Sequence, residues 1–115
     1  MTFEELIAVT DKPVVASNIN GVISMINAAF SKEYGWKEEE LVGSPLTTII
    51  PSALRDAHQL GFSAYISTGK ASLLGQHLDL EIKNSDGSVS LADHYILGGE
   101  LDGKKSFAAI INPRK

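Results

Sequence analysis

The sequence predicts an α+β fold in which a five-stranded antiparallel sheet has helices packed on one face. Strand-like runs surround three turn signals, Asn20-Gly21, Asp86-Gly87 and Asp102-Gly103. Asn or Asp followed by Gly tolerates the positive φ angles of a type I′ turn, so each signal favours a tight hairpin. Helix-forming sequence between the first two signals divides the strands into two groups and excludes a simple meander. The 115 residues fit one domain, 1–115.

The first hairpin follows a predicted N-terminal cap helix within residues 1–10. Thr2 and Glu5 have the spacing of a capping box, in which each residue satisfies a backbone amide of the other. The apolar positions of this helix are Phe3, Leu6 and Ile7. The two strands of the hairpin are then Val14–Ser17 and Val22–Ile26.

Two more helices are predicted before the third strand. One runs from about Asn27 to Tyr34. The other is the longest in the chain: Pro51 and Ser52 begin it, with Ser52 as the cap, and Thr68-Gly69 ends it.

Three strands complete the predicted sheet: Leu74–Lys83 pairs with Ser88–Leu97, which in turn pairs with Ser106–Ile111. The third strand alternates between apolar and polar residues, and Gln76 interrupts its apolar face. Burying an amide without a hydrogen bond costs a few kcal/mol. Gln76 therefore bonds to the protein, turns outward at the beginning of the strand, or contacts a ligand.

Composition restricts the class of protein. The chain is 43% hydrophobic and 21% charged, which is ordinary for a globular domain. Its net charge of -4 and the lack of a basic cluster argue against nucleic acid as a partner. No apolar run approaches the roughly 20 residues that span a bilayer, and no signal peptide is recognisable. These observations predict a soluble, cytoplasmic domain without membrane contact.

The chain contains no cysteine. Disulfides, thiolate metal sites, iron–sulfur clusters and covalent haem attachment are therefore excluded. Catalytic signatures are also missing, because the sequence has no Gly-rich phosphate loop, no nucleophile elbow and no plausible acid/base pair. The sequence does not predict an enzyme.

The order of motifs along nearly the whole chain resembles that of PAS domains. The first hairpin is followed by NAAFSKEYGWKEEELVG, then by Ile50-Pro51, Tyr65, Leu74-Gly75 and the Asp86-Gly87 turn. In this family small irregular helices wall a ligand pocket. The resemblance implies a regulatory module in signal transduction that binds a small ligand or forms a homodimer, and that acts on an output domain.

His58 lies four residues after Leu54 and four before Phe62, which places it on or beside the apolar stripe of the long helix. This register resembles that of the oxygen-sensing haem PAS domains, whose proximal histidine occupies the same place. By that resemblance His58 is the candidate axial ligand, and the candidate pocket residues are His58, Phe62, Leu74, Gln76 and Leu78. The chain departs from the pattern where some of those sensors carry a methionine ligand and an arginine that contacts oxygen, because Gln76 and Leu78 stand there.

Other interpretations of the pocket remain open. PAS domains without a reported cofactor also share Arg55, His58, Tyr65 and Leu74-Gly75 with this chain. A non-covalent flavin has only Trp36 and Gln76 in its favour. The photoreceptors that bond a flavin or coumaric acid need a cysteine, so no covalent chromophore is expected. A ligand-free protein-interaction module is a further alternative.

Two further histidines and one aspartate need placing. His77 lies on the polar side of its strand, whereas His94 alternates with Val89, Leu91 and Tyr95, which are predicted to face inward. Both histidines are expected at the surface or partly covered, and their spacing is not that of a zinc site. Asp93 shares the side of Leu91 and Tyr95; it is expected to be exposed near a strand bend, or else paired across an interface or close to the N-terminal helix.

The last strand ends at Asn112-Pro113, because proline cannot continue a ladder. Many PAS domains leave this strand through an acidic residue and a threonine that couple the sheet to a coiled coil, and that pair is missing here. The expectation is that the chain is one domain of a longer receptor.

Overall fold

The computed structural model describes residues 1–51 and 74–114, and all structural statements below concern those residues. The long helix predicted from Ser52 to Thr68 lies outside them. The elements in chain order are α1 (Phe3–Ile7), β1 (Val14–Asn18), β2 (Ile23–Ile26), α2 (Ala28–Tyr34), α3 (Glu38–Leu41), a 3₁₀ helix (Leu46–Ile49), β3 (His77–Lys83), β4 (Val89–Leu101) and β5 (Lys104–Pro113).

The strands form one five-stranded antiparallel sheet in the order β2-β1-β5-β4-β3. All three predicted hairpin pairings are confirmed. The two groups of strands join through β1 and β5, where Val14 lies opposite Ile110 and Asn18 opposite Ser106. The first and last strands of the chain are thus neighbours in the middle of the sheet.

Two apolar clusters lie on opposite faces of this sheet. We call the face under α2, α3 and the 3₁₀ helix the inner face and the other the outer face. The inner cluster comprises Val15, Ile23, Ile26, Phe30, Tyr34, Leu41, Ile49, Ile82, Ala92, Ala109 and Ile111. The outer cluster comprises Phe3, Leu6, Val14, Ala16, Ala108 and Ile110.

Helix α1 packs on the outer face, whereas the sequence placed the helices on one face of the sheet. Phe3 and Leu6 are buried against β1 and β5, and Phe3 lies directly over Gly99 of β4. The cause is that the central strands are apolar on both faces. The outer face therefore also needs a cover, and α1 supplies part of it.

The three hairpins do not share one turn type. Only the Asp102-Gly103 turn has positive φ at both central residues, 54° and 77°, as a type I′ turn requires. At Gly21 and Gly87 only the glycine has positive φ, and its amide donates to the carbonyl of the residue three positions earlier. These two hairpins therefore have three-residue loops, a type I turn followed by a left-handed glycine.

Helices α1 and α2 begin where the sequence predicts. Thr2 and Glu5 form the capping box of α1, with N–O distances of 2.9 and 3.1 Å. Asn27 caps α2 by accepting a hydrogen bond from the amide of Phe30 at 2.9 Å. Gly35 ends α2 in the left-handed conformation with φ 82°.

Candidate functional site

The inner face of β3 carries Leu78, the candidate pocket residue that lies in a described strand, and β4 is the neighbouring strand on this face. Directly opposite pairs on this face are Leu78 with His94 and Leu80 with Ala92. Leu78 is half-buried and Leu80 is 37% exposed, although both point to the apolar side of the sheet. We call this surface the β3–β4 inner surface; its residues are Leu78, Leu80, Ile82, Ala92, His94 and Ile96.

His94 belongs to this surface and is partly covered, as expected. The predicted side is wrong, because the strand turns His94 inward and not Val89, Leu91 and Tyr95. It lies between Ala92 and Ile96 on the inner face, opposite Ile111 of β5. Burial lowers the pKa of His94 below its ordinary value of 6.5, against smaller effects of the Ala92 carbonyl and the Asp93 charge. Its Nδ1 lies 3.2 Å from the Ala92 carbonyl oxygen. His94 is therefore a half-buried imidazole that is neutral at neutral pH.

The error came from reading β4 with the wrong side inward. Val89 and Leu91 are 45% and 49% exposed on the outer face, and Tyr95 packs with the outer cluster. Because β4 carries apolar residues on both faces, alternation does not reveal which side the helices cover.

The predicted pocket residues fall in different places. Leu78 lies in β3, whereas Leu74 and Gln76 precede that strand, which begins at His77 instead of at Leu74. Leu74 is half-buried in a turn, and Gln76 is exposed in the bend that follows. His58 and Phe62 lie outside the described residues. The assignment of all five to a ligand site stays a prediction.

On the outer face, β3 and β4 carry a cluster of polar side chains. The sequence predicted the exposure of His77 but not its pairing with Asp93. His77 is exposed, as predicted, and its Nδ1 lies 2.8 Å from Oδ2 of Asp93. The Asp93 side chain is only 19% exposed, so it is paired within the sheet instead of solvated at a bend. The rings of His77 and Tyr95 are 4.8 Å apart. Asp79 opposite Asp93 is paired separately, with Arg114 at 3.0 Å.

Ser17 is a buried polar residue that the sequence did not single out. It lies on the inner face of β1 opposite Phe107 and is 2% exposed. In the described part of the chain, its Oγ is the buried side-chain oxygen or nitrogen atom without a hydrogen-bond partner. The sequence signal that could have predicted this buried hydroxyl is a serine that follows three apolar residues in β1.

Trp36 was considered as a stacking partner for flavin. Its indole Nε1 donates to the carbonyl oxygen of Lys83 at 2.9 Å, and its ring packs against the inner cluster. The tryptophan thus fastens the segment after α2 to the end of β3, a contact that explains the residue without a cofactor.

Two searches of the described ranges bear on other kinds of site. No group of three or more His, Cys, Asp or Glu side chains within residues 1–51 and 74–114 is placed to hold a metal ion. Over the same residues, no helix has the length and apolar character needed to cross a bilayer.

The fold defines a class of protein: a five-stranded antiparallel sheet whose inner face is covered by short, irregular helices. Sensory domains of the PAS type have this architecture. The family model described as PAS fold matches residues 2–91, so the chain belongs to the PAS family. The predicted fold class is confirmed, and PAS domains are typically sensory modules of signal transduction without catalytic activity.

Known relatives agree with this assignment. A protein of uncharacterised function from Azorhizobium caulinodans is 29% identical over 99 residues, which cover 85% of this chain and 14% of that protein. The oxygen sensor protein DosP of Escherichia coli is 29% identical over 97 residues, which cover 84% of this chain and 12% of DosP. The chain thus spans about one eighth of the length of these relatives.

Among solved structures, the PAS domain of an HTR-like protein from Haloarcula marismortui superimposes with a TM-score of 0.76. The two chains are 21% identical, and the match covers 96% of this chain and 88% of the other. At this level of identity the likeness shows the fold alone.

Proposed function

We propose that this chain is the sensory part of a cytoplasmic signalling protein, which binds a small molecule against the β3–β4 inner surface and acts on an output domain. The observation that carries the proposal is the pair Leu78 and Leu80. A leucine that faces the apolar side of a sheet and is still 37% exposed offers surface that a ligand can cover. His94 beside them supplies a neutral polar group.

A pair of substitutions tests this proposal. Leu80→Asp places a charge on the β3–β4 inner surface, and Leu91→Asp does the same on the outer face, where the leucine is similarly exposed. Small molecules that remain bound through purification are extracted with organic solvent and quantified by mass spectrometry. We expect Leu80→Asp to lose a molecule that the unchanged chain and Leu91→Asp retain. Equal content in both variants, or no bound molecule in the unchanged chain, contradicts the proposal.

Haem is the second candidate ligand, with His58 as its axial ligand. The similarity to DosP, an oxygen sensor, favours it. In this candidate Gln76 stands where some haem PAS sensors carry a methionine ligand, and Leu78 stands where they carry an arginine that contacts oxygen. The group would supply reversible binding of a diatomic gas or a change of oxidation state.

An absorbance spectrum of protein purified with haem supplied tests this candidate. We expect a Soret band that His58→Ala removes and that His94→Ala, the matched change on the β3–β4 inner surface, leaves in place. A band lost only in His94→Ala assigns the ligand to β4 instead. A colourless protein that takes up no added haem eliminates the candidate.

Homodimerisation is the remaining part of the proposed function. Val89 and Leu91 are exposed on the outer face, beyond the outer cluster that α1 covers, and a second copy of the chain could bury them. Light scattering of the unchanged chain, of Leu91→Lys and of a variant without Met1–Thr10 tests this. We expect a dimer mass that Leu91→Lys lowers. A monomer mass for the unchanged chain contradicts dimerisation.

A further inference from the structure

The first residue of the α2 segment is bonded to the chain that precedes β1. The side-chain amide of Asn27 donates from Nδ2 to the carbonyl oxygens of Val9 and Lys12, at 3.0 and 2.8 Å. Its Oδ1 accepts from the amides of Val14 and Phe30, at 3.0 and 2.9 Å. One side chain thus caps α2 and holds the segment between α1 and β1.

The last residue of α2 is bonded to the end of β5. The hydroxyl of Tyr34 donates to the carbonyl oxygen of Ile111 at 2.6 Å, and the tyrosine is buried. Burial raises the pKa of Tyr34, so the hydroxyl stays protonated and remains a donor. The Tyr34 carbonyl also accepts from the amide of Ser85 at 3.0 Å.

Between these two ends, α2 is a short body that faces the inner cluster. It has seven residues and is capped by Asn27 and by the left-handed Gly35. Phe30 is fully buried in the inner cluster, with its ring 5.0 Å from that of Tyr34. The two caps satisfy terminal backbone groups of α2, and the two aromatic side chains fix the helix against the inner cluster.

We propose that α2 couples the inner face of the sheet to both ends of the chain: when α2 shifts, Asn27 moves the segment before β1 and Tyr34 moves the end of β5. A direct bond from the Ile111 amide to the carbonyl of Pro13, at 2.9 Å, also joins these two segments. α2 and the two segments therefore form one junction. The inference relies on the proposed sensing function only for what displaces α2; the coupling itself needs no ligand.

Backbone NMR of the whole chain tests the coupling. Phe30→Leu is expected to shift α2 on the inner face, and Phe30→Met is the milder variant if the leucine lowers stability too far. Because Ile111 belongs to the same cluster as Phe30, the Tyr34→Phe variant is needed to separate the hydrogen bond from packing. The reporters are the amides of Thr10 and Asn112, because each shares a peptide group with a carbonyl that α2 holds. We expect both amide signals to shift when Phe30 is replaced.

Removing the hydrogen bonds of Tyr34 and of Asn27 in separate variants distinguishes the coupling to β5 from the coupling to the segment before β1. In Tyr34→Phe, which keeps the ring but removes the hydroxyl, the response of Asn112 to the Phe30 substitution is lost. In Asn27→Ser, which keeps a capping oxygen but has no amide to donate, the response of Thr10 is lost. Tyr95→Phe on the outer face is the matched control and leaves both responses in place.

Two results overturn the proposal. One is that replacing Phe30 shifts neither reporter. The other is that both responses persist unchanged in Tyr34→Phe and Asn27→Ser. Because no ligand is added, failure here is distinct from failure of the sensing function, which the Leu80→Asp experiment addresses.

Discussion

Ser17 buries a hydroxyl group that has no hydrogen-bond partner among the described residues. Burying a hydroxyl without a partner costs about 1–3 kcal/mol. We therefore expect Ser17→Ala to leave the free energy of unfolding unchanged or to raise it by up to about 1 kcal/mol in urea denaturation.

Ser106 provides the matched control for this prediction. It is also buried, but its Oγ donates to the carbonyl oxygen of Lys104 at 3.1 Å. Ser106→Ala should lower the free energy of unfolding by about 0.5–1.5 kcal/mol. A comparable loss in Ser17→Ala would mean that the Ser17 hydroxyl has a stabilising partner.

His94 should make stability depend on pH. Burial holds its pKa below 6.5 in the folded chain, so below pH 6.5 the unfolded chain takes up a proton that the folded chain does not. The contribution of His94 to the free energy of unfolding is therefore fully present above pH 6.5. It is lost as the pH decreases toward the pKa of His94 in the folded chain. His94→Gln should flatten this fall in urea denaturation between pH 8 and pH 5, roughly the histidine range. An unchanged slope would contradict burial of a neutral imidazole.

At the scale of elements, the turns show that an Asn-Gly or Asp-Gly pair predicts the position of a hairpin but not its turn type. Each Asn-Gly or Asp-Gly pair correctly located a hairpin, but only Asp102-Gly103 forms a type I′ turn. The other two loops have side chains that bond to their own backbone: Asn18 Oδ1 accepts from the amide of Val22, and Asp86 Oδ1 from that of Ser88. Such local bonds stabilise the longer loop, and the dipeptide rule does not include them.

A substitution at the middle of each turn separates the two types. Asp102 has φ 54°, a conformation that costs a β-branched residue about 1–2 kcal/mol. Asp102→Val should lower the free energy of unfolding by about that amount. Asn20→Val, at a position without positive φ, should cost less. Equal losses in thermal or urea denaturation would show that φ at residue 102 does not decide stability.

The candidate pocket shows a similar limit of the alternation between apolar and polar residues. Alternation correctly placed Leu78 and Ile82 on one side of β3, and it predicted the exposed side of His77. It failed for β4, because that strand carries apolar residues on both faces. The start of β3 was also predicted too early, since Gly75 has φ 76° and the chain is still turning there.

At the scale of the whole molecule, the sheet lies between two apolar clusters, and α1 closes part of the outer one. A Cβ on Gly99 would lie 2.3 Å from Cγ of Phe3, closer than packed atoms approach. Gly99→Ala should therefore displace α1 and lower the free energy of unfolding by about 1–3 kcal/mol.

Removing the Phe3 ring provides the control for this prediction. In a Phe3→Ala background the ring is absent, so the same Gly99→Ala substitution should cost less in urea denaturation. If Gly99→Ala costs as much with or without the Phe3 ring, the ring is not what excludes the methyl group.

The five strands, the three hairpins, the two capped helices α1 and α2 and the membership of the PAS family could be read from the sequence, because they follow from local turn chemistry, capping and the order of motifs. That α1 covers the outer face and that His94 faces inward became visible only in the packed fold. The packed fold also decided that α2 is bonded through Asn27 and Tyr34 to the segments next to both chain ends. These features depend on β1 pairing with β5, a contact between distant parts of the chain that leaves no periodic trace in the sequence of either strand.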